Sequence, residues 1–180
     1  MPLWIPKLDD GGAGWAALPL AGSAYRFTDT VPFVRRAEAP AGLGQNAMLV
    51  RVIQERAENW LLVVPRGARL WVNGQKPPLG VHALAERDEI RFGNGRRLYF
   101  SAERLPQVVP FPGAAQEIIC ARCRTPIAKG TPSVCCPGCG TWCHQSEELA
   151  CWGYPGTTHC PLCDHPNDPE AGYRWTPDDV

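Results

Sequence analysis

The sequence predicts a mainly β protein in two parts, a small β-sandwich over residues 1–105 and a compact module held together by metal. Three observations point there. Strand-length apolar and alternating segments recur through the first hundred residues, with no helical period of useful length between them. Gly and Pro punctuate those segments at turn spacing. All nine cysteines lie between Cys120 and Cys163, so the chain has a cysteine-free body and a cysteine-rich end.

In the body, "MLVRVIQE" (48–55) alternates apolar and polar side chains, and "NWLLVVP" (59–65) is a continuous apolar run of strand length. "ARLWVNGQ" (68–75) ends on Asn73-Gly74, the dipeptide that best tolerates a tight hairpin turn. "DEIRFGNG" (88–95) and "RRLYFSAE" (96–103) are two further short strands around Gly93-Asn94-Gly95. Next comes "RLPQVVPFPGAAQE" (104–117), where Pro106, Pro110 and Pro112 remove backbone donors; residues 106–116 are expected to form an extended linker. The module proper is placed at 117–166, and a loop-like tail rich in Pro and acidic residues at 167–180, where Tyr173 and Trp175 can serve as anchors.

The cysteines occur as C-x-x-C pairs in a chain whose start, "MPLWIPKLDD", has no apolar core segment. An odd number of cysteines in that context favours metal over disulfides and points to a reducing, cytoplasmic compartment. No apolar run approaches the roughly 18 residues that a membrane helix needs, so no membrane partner is expected. Net charge is zero but unevenly spread: residues 1–105 carry fourteen Lys or Arg against ten Asp or Glu, residues 116–180 four against eight. A nucleic-acid partner requires a basic footprint, so the acidic module argues against a zinc-ribbon reader of DNA or RNA.

Taken in order, the ligand candidates form four pairs: Cys120 with Cys123, Cys136 with Cys139, His144 with Cys151, and Cys160 with Cys163. Two residues between thiolates let a single turn of chain present both sulfurs to one tetrahedral ion, so four pairs provide for two zinc ions. Pairing can be sequential or interleaved. In the interleaved, cross-braced case Cys120, Cys123, His144 and Cys151 hold one ion, and Cys136, Cys139, Cys160 and Cys163 the other. Cys135 and Cys143 are left over, and Cys135 is one residue from replacing Cys136. His159 is not needed to complete the ligand count, and His82 and His165 read as surface residues. A catalytic pair of Cys143 and His144 is set aside, because sequence neighbours rarely face each other and His144 serves as a ligand.

Two family resemblances follow. The run "RLWVNGQKPPLGVHALAERDEIRFGNGRRLYF" (69–100) resembles the C-terminal half of a forkhead-associated (FHA) domain through Val72-Asn73-Gly74, Leu84, Asp88, Ile90, Phe92 and Gly93. The Gly-Arg and Ser-x-x-His motifs that carry phosphothreonine binding in that family have no intact counterpart in "FVRRAEAP" or "GLGQNAMLV". The resemblance therefore implies an FHA-like fold with few donors for a phosphate.

Four cysteines, a histidine and three cysteines resemble the RING and PHD finger group, and "CRTPI" (123–127) and "HCPLC" (159–163) are RING-like. "CHQSEELACW" (143–152) is similar to the His-x-x-Cys-Trp of bacterial RING-like fingers with four extra residues, and Thr158 stands where PHD fingers place a Trp. The fold class implied is an FHA-like β-sandwich followed by a small RING-like double-zinc, treble-clef or cross-brace module, with the two interleaved ligand sets as the expected sites. The implied role is that of a RING-type ubiquitin-ligase-like protein of a bacterial ubiquitin-like pathway, a source with which the abundance of Ala, Gly, Pro and Arg is compatible. Such a finger docks a conjugating enzyme and its modifier and catalyses by positioning alone. The carried-over docking residues are Arg122, Trp152, Pro161 and Leu162, with Ile127 in the finger's core. Arg122 replaces an aliphatic residue, and Asp164 replaces the Arg that clamps the modifier, which keeps open a second role as a non-catalytic protein-interaction adaptor.

Overall fold

The computed structural model describes residues 1–7, 14–28, 33–37, 46–54, 57–168 and 172–179. It divides into two compact units, Met1–Glu103 with Trp175–Val180, and Arg104–Arg174. Strands are the main regular element in both, with loops and turns making up most of the second, and no α-helix occurs among the described residues. None of the described helical turns is long or apolar enough to cross a membrane.

Among the described residues the first unit holds ten strands: β1 (Pro2–Pro6), β2 (Trp15–Pro19), β3 (Ala24–Phe27), β4 (Val34–Ala37), β5 (Met48–Gln54), β6 (Ala57–Val63), β7 (Leu70–Val72), β8 (Val81–Ala83), β9 (Glu89–Phe92) and β10 (Arg97–Phe100). They form two five-stranded antiparallel sheets, ordered β2-β1-β10-β9-β7 and β4-β3-β5-β6-β8. Period-two alternation turns one face of each sheet inward. Leu3, Leu98, Phe100, Ile90 and Val72 from one sheet thus share a single core with Tyr25, Phe27, Leu49, Trp60 and Leu62 from the other. This is a β-sandwich.

Asn73-Gly74 makes the expected turn. Both residues have positive φ (49° and 78°), and Val72 and Gln75 exchange N–H···O bonds of 2.8 and 2.9 Å, the geometry of a two-residue hairpin with a primed turn. The Asn73 side chain also ties that turn to the next strand: its Nδ2 donates to Asp88 Oδ1 at 2.7 Å, and its Oδ1 accepts from the Glu89 N–H at 2.9 Å. Asp88, 5% exposed, accepts in addition from the Ala85 N–H and lies 3.0 Å from His82 Nε2. This network accounts for the FHA-like pattern of Asn73 and Asp88 as turn architecture. Residues 38–45, which hold part of both segments read for a phosphothreonine motif, lie outside the described residues.

Trp4 and Tyr99 are cross-strand partners on the outer face of the first sheet. Trp175 packs edge-on against both, with ring centroids 6.3 and 6.0 Å away, and the Arg87 guanidinium lies 5.5 Å from its ring. The aromatic anchor expected in the tail is therefore real, and it belongs to the first unit.

The second unit contains β11 (Val108–Pro110), β12 (Pro132–Cys135) and β13 (Trp142–His144) in one antiparallel sheet. The segment read as a linker thus supplies an edge strand. Pro110 is tolerated there because an edge leaves one side of the ladder without a partner. Phe111, which follows it, is buried and meets Trp142 edge-on at 4.9 Å. The remaining core is Ile127, Val134 and Trp152 together with cysteines.

Candidate metal centres

Three loops of the second unit share one local design. In the first, the Cys120 N–H donates to the Thr125 carbonyl (2.9 Å), and the Arg124 N–H returns to the Cys120 carbonyl (3.0 Å). The second repeats this from Cys136 to Thr141 (2.7 Å) and from Gly140 to Cys136 (2.9 Å). In the third, the Cys160 N–H donates to the His165 carbonyl at 2.8 Å. Each loop folds C-x-x-C into a tight turn with both sulfurs on one side. Arg124 (φ 63°) and Gly140 (φ 75°) take the left-handed backbone that closes the first two.

The loops assemble two clusters. Cys120, Cys123, His144 and Cys151 bring their ligand atoms within 4.8 Å of one another, as do Cys136, Cys139, Cys160 and Cys163. The first and third pairs have come together, and so have the second and fourth. This interleaved arrangement is one of the two that spacing allowed. His144 is delivered by β13, and the third loop holds Cys160 and Cys163.

Distances test whether a metal fits. Tetrahedral zinc, with bonds of about 2.3 Å to sulfur and about 2.0 Å to imidazole, places two sulfurs about 3.8 Å apart and a sulfur and nitrogen about 3.5 Å apart. The structure has Cys136 Sγ and Cys163 Sγ at 3.6 Å, Cys139 Sγ and Cys160 Sγ at 3.8 Å, and Cys123 Sγ and His144 Nδ1 at 3.4 Å. These are ligand–ligand separations of a tetrahedral site and far too long for a disulfide of about 2.05 Å. All nine cysteines are free. Three thiolates with an imidazole, and four thiolates, are donor sets of structural zinc, with no position kept open for substrate.

Without metal the thiols are unevenly poised. Burial pushes Cys136 well up, and burial with the Cys123 hydrogen bond pushes Cys151 up to about 12. Burial would raise Cys123 too, but hydrogen bonds from the Thr125 hydroxyl, 3.0 Å away, and backbone bring it down to about 6. Cys160 is raised by burial, whereas the backbone hydrogen bond at His165 lowers Cys163. The two spare cysteines stay outside both clusters. Cys143 is fully buried on β13, pushed up to about 12 by burial and by the charges of Cys120 and Cys160. Cys135 points its Sγ toward the Gly140 carbonyl at 3.5 Å, so Cys136 is the ligand of the two.

The docking residues carried over from the RING resemblance fall into three different environments. Leu162 is 65% exposed and Pro161 half-buried beside it. Arg122 is half-buried and committed inward: its Nε donates to the Cys151 carbonyl at 2.7 Å, and its guanidinium lies 5.2 Å from the Tyr154 ring. Trp152 requires a correction. It is 0% exposed, in the middle of the second core, and its carbonyl accepts from Asn167 Nδ2 at 2.8 Å, so it supports the module and offers no contact surface. Ile127 is in the core as expected.

Two contributors were not apparent from spacing. Asn167, 2% exposed and assigned to the tail, bonds the Trp152 carbonyl, the Thr157 hydroxyl and, through its N–H, the Thr158 carbonyl. The only sequence signal was an Asn next to the prolines that punctuate the tail. Gly138 lies so close to the second cluster that a Cβ there would meet Cys163 Sγ at 3.2 Å and His165 Cβ at 3.1 Å.

No family model matches this chain, and no curated protein does. Among solved structures it is similar to the Slr1951 protein from Synechocystis sp., at 19% identity over 57% of this chain and 98% of that one, with a TM-score of 0.41. Nothing about this chain follows from so slight a likeness.

Proposed function

We propose that the second unit is a RING-like double-zinc module that docks a ubiquitin-conjugating-enzyme-like protein, and that the protein is a RING-type ubiquitin-ligase-like component of a bacterial ubiquitin-like conjugation pathway. The observation that carries this reading is the interleaved pairing of the two ligand sets. Zinc held there would supply structure only, since every ligand position is taken by protein. The finger's contribution to a transfer reaction is then positional: it holds a conjugating enzyme and its thioester-linked modifier in a reactive pose. Pro161 and Leu162 present an apolar contact between Cys160 and Cys163, held in place by both ligands. The first unit, an FHA-like sandwich, selects a target or another subunit, and the setting is the bacterial cytoplasm.

One observation favours the second reading, an adaptor that binds proteins without promoting transfer. Asp164 is exposed immediately after the last ligand, and a carboxylate there accepts hydrogen bonds but cannot donate those a clamping Arg would. The two readings separate in a reconstituted discharge assay with a conjugating enzyme, charged with its modifier, from the same genome. The ligase reading expects faster discharge that Leu162→Ala and Pro161→Ala reduce while two zinc ions per chain remain. Absence of acceleration, or acceleration indifferent to both substitutions, leaves the adaptor.

A further inference from the structure

Six residues separate His144 from Cys151, four more than in the His-x-x-Cys spacing this stretch resembles, and the added length builds one side of a cleft. Ser146 to Leu149 form a closed turn in which the Ser146 N–H donates to the Leu149 carbonyl (3.2 Å) and the Leu149 N–H to Ser146 Oγ (3.1 Å). The Gly153 N–H donates to Gln145 Oε1 at 3.0 Å and fixes the following segment. Glu147, Glu148 and Leu149 line the cleft together with Arg122, Tyr154 and Pro155. Leu149 is 43% and Tyr154 54% exposed, which leaves apolar surface on both elements.

The cleft carries more negative than positive charge, with Glu147 and Glu148 set against the single guanidinium of Arg122. Neither Glu147 nor Glu148 has an ionic partner among the described residues. Arg122 is occupied by the Cys151 carbonyl and the Tyr154 ring. With a dication bound, three thiolates and a neutral imidazole would leave one net negative charge behind Cys123 and Cys151, which offsets Arg122 and leaves Glu147 and Glu148 to set the sign. Surface of this kind attracts cations flanking an apolar group.

We propose that the cleft binds a segment of a partner protein in which Arg or Lys side chains flank an apolar side chain, with the cations at Glu147 and Glu148 and the apolar group between Leu149 and Tyr154. The inference rests on the reading of the second unit as a protein-docking module, and deepens it by naming the chemistry that selects the partner. The inserted turn acts as a specificity element of this chain.

The test uses the full-length, zinc-loaded protein and two short fluorescent peptides, one alternating leucine with arginine, the other leucine with glutamate, followed by anisotropy. The leucine–arginine peptide binds and the leucine–glutamate peptide does not. Combined Glu147→Lys and Glu148→Lys weaken binding about tenfold, since two exposed pairs become repulsive contacts, and Leu149→Ser also weakens it. Glu117→Lys, an exposed charge reversal in the same unit but outside the cleft, leaves affinity unchanged. Zinc content of two per chain verifies that each variant is folded. Equal binding of both peptides, or a Glu117→Lys loss as large as that of Glu147→Lys alone, overturns the proposal, because bulk acidity would then suffice. Peptide binding with no discharge removes the ligase reading and keeps the cleft. Discharge without peptide binding does the reverse.

Discussion

The two units solve the same problem with different materials. The first buries Trp60, Leu62, Leu49 and their neighbours between two sheets, and its core is contiguous and almost purely hydrocarbon. In the second, cysteines make up much of the buried set, around a few apolar residues such as Phe111, Val134 and Trp152. A segment of about 70 residues is close to the limit at which apolar burial alone sustains a fold, and metal ligation replaces what the core lacks. Stability in the first unit is therefore spread over many contacts. In the second it is concentrated in two ligand sets.

Removing metal should break this comparison most completely. On prolonged chelation the second unit is expected to lose protection from hydrogen exchange throughout, while β5 and β6 of the first keep theirs, because the metal's binding free energy is the module's folding free energy. Uniform loss in both units, or retention in both, would show that the division of labour is mistaken.

Single ligands come next. Cys136→Ser is expected to leave one zinc per chain and Cys135→Ser two, as read by metal analysis of the purified variants; equal losses would mean that the register assigned to the pair is wrong.

Core truncations sharpen the contrast at an intermediate scale. Trp60→Ala and Trp152→Ala each remove a fully buried indole and should each cost about 3–5 kcal/mol. Only the second should also lower zinc content, and denaturant titration with parallel metal analysis separates the two. Full zinc retention in Trp152→Ala would show that the two ligand sets hold without this part of the core.

The smallest expected effect lies between the two clusters. Every thiol still protonated before metal uptake must give up its proton, so affinity falls with falling pH by about tenfold per pH unit for each proton displaced. Burial raises two thiols in the second cluster, Cys136 and Cys160, against one in the first, Cys151, and each cluster also has one lowered thiol, Cys163 in the second and Cys123, down to about 6, in the first. On acidification the four-cysteine site should release metal before the site containing His144. An indicator-dye titration of Cys151→Ser and Cys136→Ser, each retaining one site, measures the order, and a reversed order refutes it.

What was legible in the sequence followed periodicity and spacing. The β5 and β6 segments, the Asn73-Gly74 turn and the eight ligands all depend on local chemistry: alternation, tolerance of positive φ, and two-residue separation of thiolates. Spacing alone leaves the pairing open, since nothing local tells Cys123 whether its next partner is Cys136 or His144. The interleaved sets are expected from the order of four cysteines, a histidine and three cysteines, and the two clusters match them. Trp152 was misplaced because apolar character beside a ligand fits a core residue and a docking residue equally well; only burial decides. β11 was hidden by its prolines, which mark an edge strand and a linker alike. Asn167 escaped because its three bonds reach residues 9 to 15 positions away, a separation no pattern of neighbours encodes.

The alternation of ligands along the chain has a consequence for how the molecule responds to metal supply. Because residues 123 to 144 leave one cluster, pass through the other and return, closing either loop shortens the excursion needed to close its counterpart. The entropy lost on binding the first ion is thus partly shared with the second, which binds with the chain already gathered. Occupancy should then rise with free zinc more steeply than two independent sites allow. Loading of the second unit is then closer to a threshold in free zinc than to a gradient.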